Sequence, residues 1–233
     1  MSSILTIETS TSVCSAALSV DGKIDFEKVS FEGPSHAALL GVFIEEAVTH
    51  AKKKGIPLDA VAVSSGPGSY TGLRIGVSMA KGLCFGYNIP LLAIPTLDIM
   101  ACKVIKENKL PDDTLYCAML DARRMEVYAA IYDNKLHIIR STLAEVVTAD
   151  TYSPFLETNQ VCFFGNGAAK CKSIITSPHA IFIDHIVPLA GDMATLANER
   201  FVNNKFEDTA YFEPFYLKEF VATVAKNKVL GNR

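Results

Sequence analysis

DAVAVSSGPGSYTGLRIGVSMAKGLCFGY, residues 59–87, holds three kinds of structure in one run. Asp59 to Ser64 is short, apolar and rich in Val and Ala, the composition of a central strand covered on both faces. Gly66-Pro67-Gly68-Ser69 is a turn. Thr71 brings a hydroxyl suited to capping and is followed by a long stretch without proline, so a helix is predicted from there. A strand, a glycine loop and a helix start aim backbone N–H groups and partial positive charge beyond the strand end, which suits an anion. The sharper nucleotide signatures are not met. A Walker A loop needs a Lys where Gly72 is followed by Leu73 and Arg74; a GxGxxG fingerprint begun at Gly66 and Gly68 ends in Thr71; a GxSxG elbow at Ser69 has Pro67 two residues before it. Two readings of the loop stand: direct ligand contact by Gly66, Gly68 and Ser69, or a tight turn that lets helix and strand pack.

The helix is apolar nearly all round. Leu73, Val77, Ala80 and Cys84 form one stripe and Ile75, Met79 and Leu83 a second, leaving a narrow polar strip of Arg74, Ser78 and Lys81. Such a helix is expected to be covered nearly all round. Gly72, Gly76 and Ala80 recur at four-residue spacing, a row along which another helix could approach closely. It reads either as a core helix or as one with a face docked on a second protein.

Upstream and downstream the element order runs twice. Ile4 to Thr9 is an apolar strand carrying Glu8 at its end, followed by the polar turn Ser10-Thr11-Ser12, a strand Ser15 to Val20, a hairpin signal at Asp21-Gly22 and a strand Lys23 to Phe31. Pro34-Ser35 opens a helix that Gly55 and Pro57 stop, and the central unit, a strand Pro90 to Ile94 and a helix from about Thr96 to Asn108 complete the half. After Pro111-Asp112-Asp113 come a strand Tyr116 to Leu120 ending in Asp121, the turn Ala122-Arg123-Arg124, a strand Glu126 to Tyr132 and a strand Lys135 to Arg140. A helical stretch from about Leu143, a strand Gln160 to Phe164, a glycine loop Gly165-Asn166-Gly167, a helix to about Ile175, a strand Ile181 to Ile183 and a helix from about Asp192 to Asn204 follow.

Two βββαβαβα halves, 1–110 and 111–233, each with an acid at the end of its first strand, describe the α/β two-lobed architecture of actin, sugar kinases and Hsp70 ATPases. Its cleft normally holds ATP and Mg²⁺ between glycine-rich turns. Here the first turn, Glu8-Thr9-Ser10-Thr11, has neither glycine nor lysine, and the second carries Arg123 and Arg124. Bulky side chains at both turns obstruct backbone approach to phosphates, while two arginines can still hold an anion as side-chain ligands. The candidate nucleotide or anion contacts are therefore Glu8, Thr9, Ser10, Gly66, Gly68, Ser69, Asp121, Arg123, Arg124, Gly165 and Gly167.

At 233 residues, with net charge −3 and a pI near 6.0, the chain can bury a large core and lacks the basic balance of a dominant nucleic-acid contact. No run of 18 apolar residues occurs and the start is not that of a signal peptide, so a cytoplasmic protein is expected. Six separated cysteines without a CxxC read as reduced core thiols, and five histidines without an HxxxH or HExxH pair give no metal site.

Several segments together resemble the bacterial TsaB (YeaZ) family: ILTIETSTSVCSAAL, SHAALL, SSGPGSYTGLRIGVSMAKGL, LDARRMEVYAAIY, GNG at 165–167 and EPFYLKEFVA. They span essentially the whole chain in order. The resemblance implies a non-catalytic, cofactor-free paralogue of the catalytic subunit TsaD. With TsaD and TsaE it would support transfer of a threonylcarbamoyl group to adenosine in ANN-decoding tRNAs, its own tRNA contact indirect or weak. It also implies that the first two helices bundle with those of TsaD, or with a second copy of the chain when TsaD is absent. The interface residues so implied are His36, Leu39, Leu40, Phe43 and Ala47 on the first helix. On the second they are Thr71, Gly72, Arg74, Ile75, Gly76, Val77, Met79, Ala80 and Leu83. The chain departs from the family at Glu8 (usually Asp), at His36-Ala37-Ala38 (usually HSE) and at Lys218 (usually Arg). A different class, a small-molecule kinase of the same fold, would use Glu8 and Asp121 as metal carboxylates, and a peptidase would need Ser69 activated.

Overall fold

The computed structural model describes residues 2–33 and 36–217. The helix entry at Pro34-Ser35 and the segment from Lys218 onward lie outside them. The first sheet consists of β1 (Ser3–Glu8), β2 (Cys14–Val20), β3 (Lys23–Ser30), β4 (Ala60–Gly66) and β5 (Leu91–Pro95), in the order β3-β2-β1-β4-β5. The second consists of β6 (Leu115–Asp121), β7 (Glu126–Tyr132), β8 (Ile138–Val146), β9 (Val161–Phe164) and β10 (Ala180–Ile183), in the order β10-β9-β6-β7-β8. Read from the third strand of each half, the two orders are the same. This is the two-lobed actin-like architecture.

In both sheets the first strand is antiparallel to the second and parallel to the fourth: Ile7 pairs with Ala16 and with Val63, and Ala118 pairs with Ala130 and with Phe164. Every residue of β1 and β4 is buried, which is why both read as unbroken apolar runs. The β2–β3 hairpin turns on Asp21 and Gly22, both left-handed at φ 48° and 75°, the conformation of a two-residue type I′ turn.

Among the described residues five helices follow: α1 (His36–Lys53), α2 (Tyr70–Tyr87), α3 (Thr96–Glu107), α4 (Ser153–Leu156) and α5 (Ala194–Val202). Leu40, Ile44, Ala47 and Val48 of α1 and Val77, Ala80 and Cys84 of α2 cover one face of the first sheet around Leu5, Ile7, Val61 and Val63. The third helix serves both sheets. Leu97, Met100, Ala101 and Val104 pack on Tyr116, Ala118 and Phe164, while Ile99 and Cys102 pack with Ile4, Ala62, Leu92 and, from α5, Leu196 and Ala197. Helix α5 of the second half thus closes the other face of the first sheet.

Three element boundaries differ from the sequence reading. Helix α2 begins at Tyr70, and Ser69 rather than Thr71 caps it, accepting a hydrogen bond from the Gly72 amide at 3.2 Å. Strand β8 runs on to Val146 where a helix was expected from about Leu143, because Arg140 to Ala144 alternate between sheltered and exposed with the period of two that defines a strand. The expected helix after Gly167 shrinks to one 3₁₀ turn, Ala169–Cys171.

Candidate functional site

Between the lobes lies a cleft of about 1000 Å³. Its first-lobe wall is the turn Ser10-Thr11-Ser12, His36 and the start of α2 from Gly68 to Gly72; its second-lobe wall is Leu120 to Arg124 with Asn166; Phe215, Tyr216 and Leu217 cross its mouth. Of the residues proposed for nucleotide or anion contact, Ser10, Gly68, Ser69, Asp121, Arg123 and Arg124 meet here. Glu8, Thr9, Gly66, Gly165 and Gly167 do not line it.

The reason is that both turns are closed by their own backbones. The Thr9 hydroxyl donates to the Gly72 carbonyl at 2.8 Å, and the Ser69 amide donates to the Ser10 carbonyl at 2.6 Å. A β-carbon on Gly68 would collide with the Ser10 carbonyl, one on Gly72 with the Thr9 carbonyl, and one on Gly76 with the Thr9 hydroxyl. Gly66, at φ 102°, has the Phe215 carbonyl 2.8 Å from where its side chain would be. These glycines admit neighbouring chain. In the second lobe, Gly165 lies under the Met119 carbonyl, and the side-chain oxygen of Asn166 accepts from the Asp121 amide at 2.9 Å.

Glu8 sits under the floor, fully buried. Its Oε1 accepts from the Ser10 amide at 2.5 Å, and Oε2 has no hydrogen-bond partner among the described residues. Burial pushes its carboxyl up to about 7, against the opposing effect of the Ser10 bond. Asp121 faces the cleft but is ion-paired to Lys170, whose ammonium also donates to the Arg124 carbonyl at 2.7 Å and the Glu126 carbonyl at 2.6 Å. The two acids that a kinase of this fold would use as metal carboxylates therefore do not converge on one space, and no cluster of three or more potential ligands occurs among the described residues.

The α1/α2 face requires a correction. Leu40, Ala47, Gly72, Gly76, Val77 and Ala80, expected to meet a partner, turn into the first lobe, with Val77 4% and Ala80 0% exposed. The small-residue row Gly72-Gly76-Ala80 is the bed for Thr9 and the sheet. His36 is buried and faces the cleft, its Nε2 2.7 Å from the Thr11 carbonyl.

The outer side of the helix pair carries Met79, exposed, and Leu39, Phe43, Ile75 and Leu83, half-buried, the last three also packed on the core, with Thr71 and Arg74 exposed at its start. To these the structure adds Val42 and two residues missed in the sequence, Tyr87 and Phe85, the last 89% exposed. A second row of small residues at four-residue spacing, Ser78, Gly82 and Gly86, is exposed along α2, and nothing lies within 4 Å of a β-carbon built on either glycine. Across from it the Met79 Cε is 4.0 Å from the β position of Gly41. Both rows are visible in the sequence; which of them is buried depends on where Thr9 arrives.

The model of one family, TsaD: tRNA N6-adenosine threonylcarbamoyltransferase, matches residues 32–232. The chain belongs to that family. Within it, this TsaD-family chain is of the TsaB (YeaZ) kind. It is 29% identical over 227 residues to the tRNA threonylcarbamoyladenosine biosynthesis protein TsaB of Escherichia coli, covering 94% of this chain and 96% of that protein. The TsaB of Haemophilus influenzae is 28% identical over 230 residues, 94% of each. Among solved structures, a protein described as similar to the peptidase YeaZ from Pseudomonas aeruginosa superposes with a TM-score of 0.79 at 26% identity, covering 94% of this chain and all of that one. YeaZ from Pseudomonas aeruginosa gives 0.75 at 26% identity, covering 93% and 100%. No helix among the described residues is long and apolar enough to cross a membrane.

Proposed function

We propose that the chain is a non-catalytic subunit of the assembly that makes threonylcarbamoyladenosine in tRNA, acting by binding a TsaD-type catalytic subunit, with a TsaE-type ATPase in the larger complex. The observation that carries this reading is the outward apolar face of α1 and α2, with Val42, Met79 and Phe85 exposed beside the open Gly82 and Gly86. An exposed apolar face with a groove of small residues suits close approach by a second helix pair. The names of the TsaB relatives support the pathway, and the match to a TsaD family model supports a partner of related fold, whose first two helices would complete a four-helix contact. In the absence of that partner, a second copy of the chain would cover the same face.

The closed turns support the non-catalytic part. Glu8 is buried beneath the floor and Asp121 is held by Lys170, which disfavours a kinase built on these two acids. A peptidase reading fares no better: the Ser69 hydroxyl caps α2, and His36 Nε2 is engaged by the Thr11 carbonyl.

Co-purification with the TsaD-type subunit of the same organism is the test. Met79→Glu and Val42→Glu are expected to abolish the complex while the isolated chain keeps its thermal midpoint, because both side chains are exposed. Val77→Glu, in the core, is expected to unfold the lobe and serves as the contrasting control. An intact complex with both surface variants would remove the helix-face reading.

A further inference from the structure

A second cavity lies where α5 of the second half meets β5 and α3 of the first, and it shares no residue with the cleft. Its volume is about 190 Å³, below the ~300–1000 Å³ of sites for drug-sized ligands, so it suits a small metabolite and not a nucleotide. Ile94 and Leu196, both buried, give it an apolar floor. Along α5, Leu196, Glu199, Arg200 and Asn203 recur at three- and four-residue spacing and so share one side of the helix. A Schellman turn then ends α5. Asn204 is left-handed at φ 52°, its amide donates to the Phe201 carbonyl at 3.0 Å, and the Lys205 amide donates to the Arg200 carbonyl at 2.9 Å. The turn brings Lys205 back to the pocket wall, and Asp98, in the first turn of α3, completes the lining.

The charges around this space are balanced but not paired. Two acids, Asp98 and Glu199, and two cations, Arg200 and Lys205, line it, and none of the four is in an ion pair among the described residues. Asp98 is half-buried, and its Oδ1 accepts from the Tyr132 hydroxyl at 2.7 Å, a neutral donor. Burial pushes this carboxyl up, against the Tyr132 bond and the Arg200 charge. A half-buried carboxylate bonded only to a neutral group gains from a cation brought to it. A simple ion of either sign is a poor fit, because an anion meets Asp98 and Glu199 while a metal or ammonium ion meets Arg200 and Lys205. A molecule that carries both charges close together meets no such conflict.

We infer that this pocket binds a free α-amino acid, its ammonium on the Asp98 side, its carboxylate on the Arg200 and Lys205 side, and a small apolar side chain over Ile94 and Leu196. Seated there, the ligand bridges α3 of the first half and α5 of the second, and by binding only the folded chain it raises the thermal midpoint. The inference goes beyond the assembly role. It uses no residue of the α1/α2 face, so it stands or falls separately from the partner proposed above.

Isothermal titration of the full chain with L-valine, N-acetyl-L-valine and L-valinamide tests it, the last two each lacking one of the charges. L-valine is expected to bind with a dissociation constant below about 1 mM, and each blocked derivative about tenfold or more weakly through loss of a charge-assisted contact. Asp98→Asn keeps an oxygen for the Tyr132 hydroxyl and removes the charge. It should weaken L-valine and L-valinamide about tenfold and leave N-acetyl-L-valine unchanged. Arg200→Gln should weaken L-valine and N-acetyl-L-valine and leave L-valinamide unchanged. This crossed pattern, in which each side-chain charge answers to one end of the ligand, would not come from a general disturbance of the fold. Arg200 lies on the last turn of α5, so its variant gives a reading even if Asp98→Asn fails to fold. No binding of L-valine at about 10 mM overturns the inference. So does equal binding of L-valine and either blocked derivative, which would make the site one for a simple ion, and so does L-valine binding unchanged in both variants.

Discussion

Thr9 and Gly72 grip each other in both directions: the Thr9 hydroxyl donates to the Gly72 carbonyl at 2.8 Å, and the Thr9 carbonyl fills the space a β-carbon on Gly72 would need. The obstacle is backbone and cannot rotate away, so Gly72→Ala must displace either the first turn or α2. A loss of about 2 kcal/mol or more is expected in urea unfolding, the range of an overpacked core. Gly82, on the outer side of the same helix, has open space at its β position. Gly82→Ala should therefore stabilise the free chain by about 0.5–1 kcal/mol through helix propensity. If the outer face receives a partner helix closely, that variant weakens the complex while strengthening the chain.

Stability should fall as pH rises through the range set by Glu8. Burial lifts its carboxyl from 4.5 to about 7 in the folded chain. Below pH 4.5 it is protonated whether the chain is folded or not, and no difference arises. Between 4.5 and 7 the unfolded chain ionises and the folded chain does not, so stability is lost across this window, by about 3 kcal/mol in all. Burial also raises the carboxyls of Glu27, Asp98 and Asp192, with the same sign. Asp25 and Asp184 are held low chiefly by hydrogen bonds from Lys54 and Lys172, and their opposite effect falls below pH 3.8. Glu8→Gln keeps an oxygen for the Ser10 amide and removes the charge. Its unfolding midpoint should decline less steeply than that of the parent between pH 5 and 7.5, the remaining slope coming from Glu27, Asp98 and Asp192; parallel curves would show that Glu8 does not titrate in this window.

The six thiols should be inert in the folded chain. All are buried, and burial raises Cys14 and Cys84 to about 11 and Cys162 to about 12, with Cys102, Cys117 and Cys171 raised as well. The thiolate is the reactive form, so a thiol reagent at pH 8 should titrate none of them in native buffer and all six in denaturant. A cysteine reacting within minutes in native buffer would locate a segment that opens locally.

What was legible in the sequence was local. The central strands show as unbroken apolar runs because both faces of β1 and β4 are covered, and the duplicated order follows from one acid-ended strand and one hairpin in each half. What was not legible depends on residues far apart in the chain. Two rows of small residues run along α2, and only the arrival of Thr9, some sixty positions upstream, decides that Gly72 and Gly76 face inward and Gly82 and Gly86 outward. Glu8 reads as a cleft carboxylate until the Ser10 carbonyl is seen to meet the Ser69 amide above it. The reach of β8 was missed because Leu143 and Val146 suit a helix stripe as well as the exposed side of an edge strand.

That strand carries one further consequence. Arg140 and Glu145 form a two-pronged ion pair, with Nη2 2.5 Å from Oε1 and Nη1 3.2 Å from Oε2, and the Tyr152 hydroxyl donates to the same Oε1 at 2.6 Å. The guanidinium also lies over the Tyr152 and Phe155 rings, and its Nε has no partner among the described residues. Both charges are largely sheltered, at 18% and 17% exposure. Removing one member strands the other, so Glu145→Ala should cost about 2–3 kcal/mol, somewhat below a fully buried pair because water still reaches the edge. Replacing the group as a whole is a different matter. Arg140→Met, Glu145→Leu and Tyr152→Phe together remove every polar atom of the network and should return stability to within about 1 kcal/mol of the parent. Urea unfolding of the single and triple variants separates the two cases. If the triple variant is as unstable as Glu145→Ala, the network holds the second lobe by its hydrogen bonds; if Glu145→Ala costs under about 0.5 kcal/mol, solvent already screens the pair.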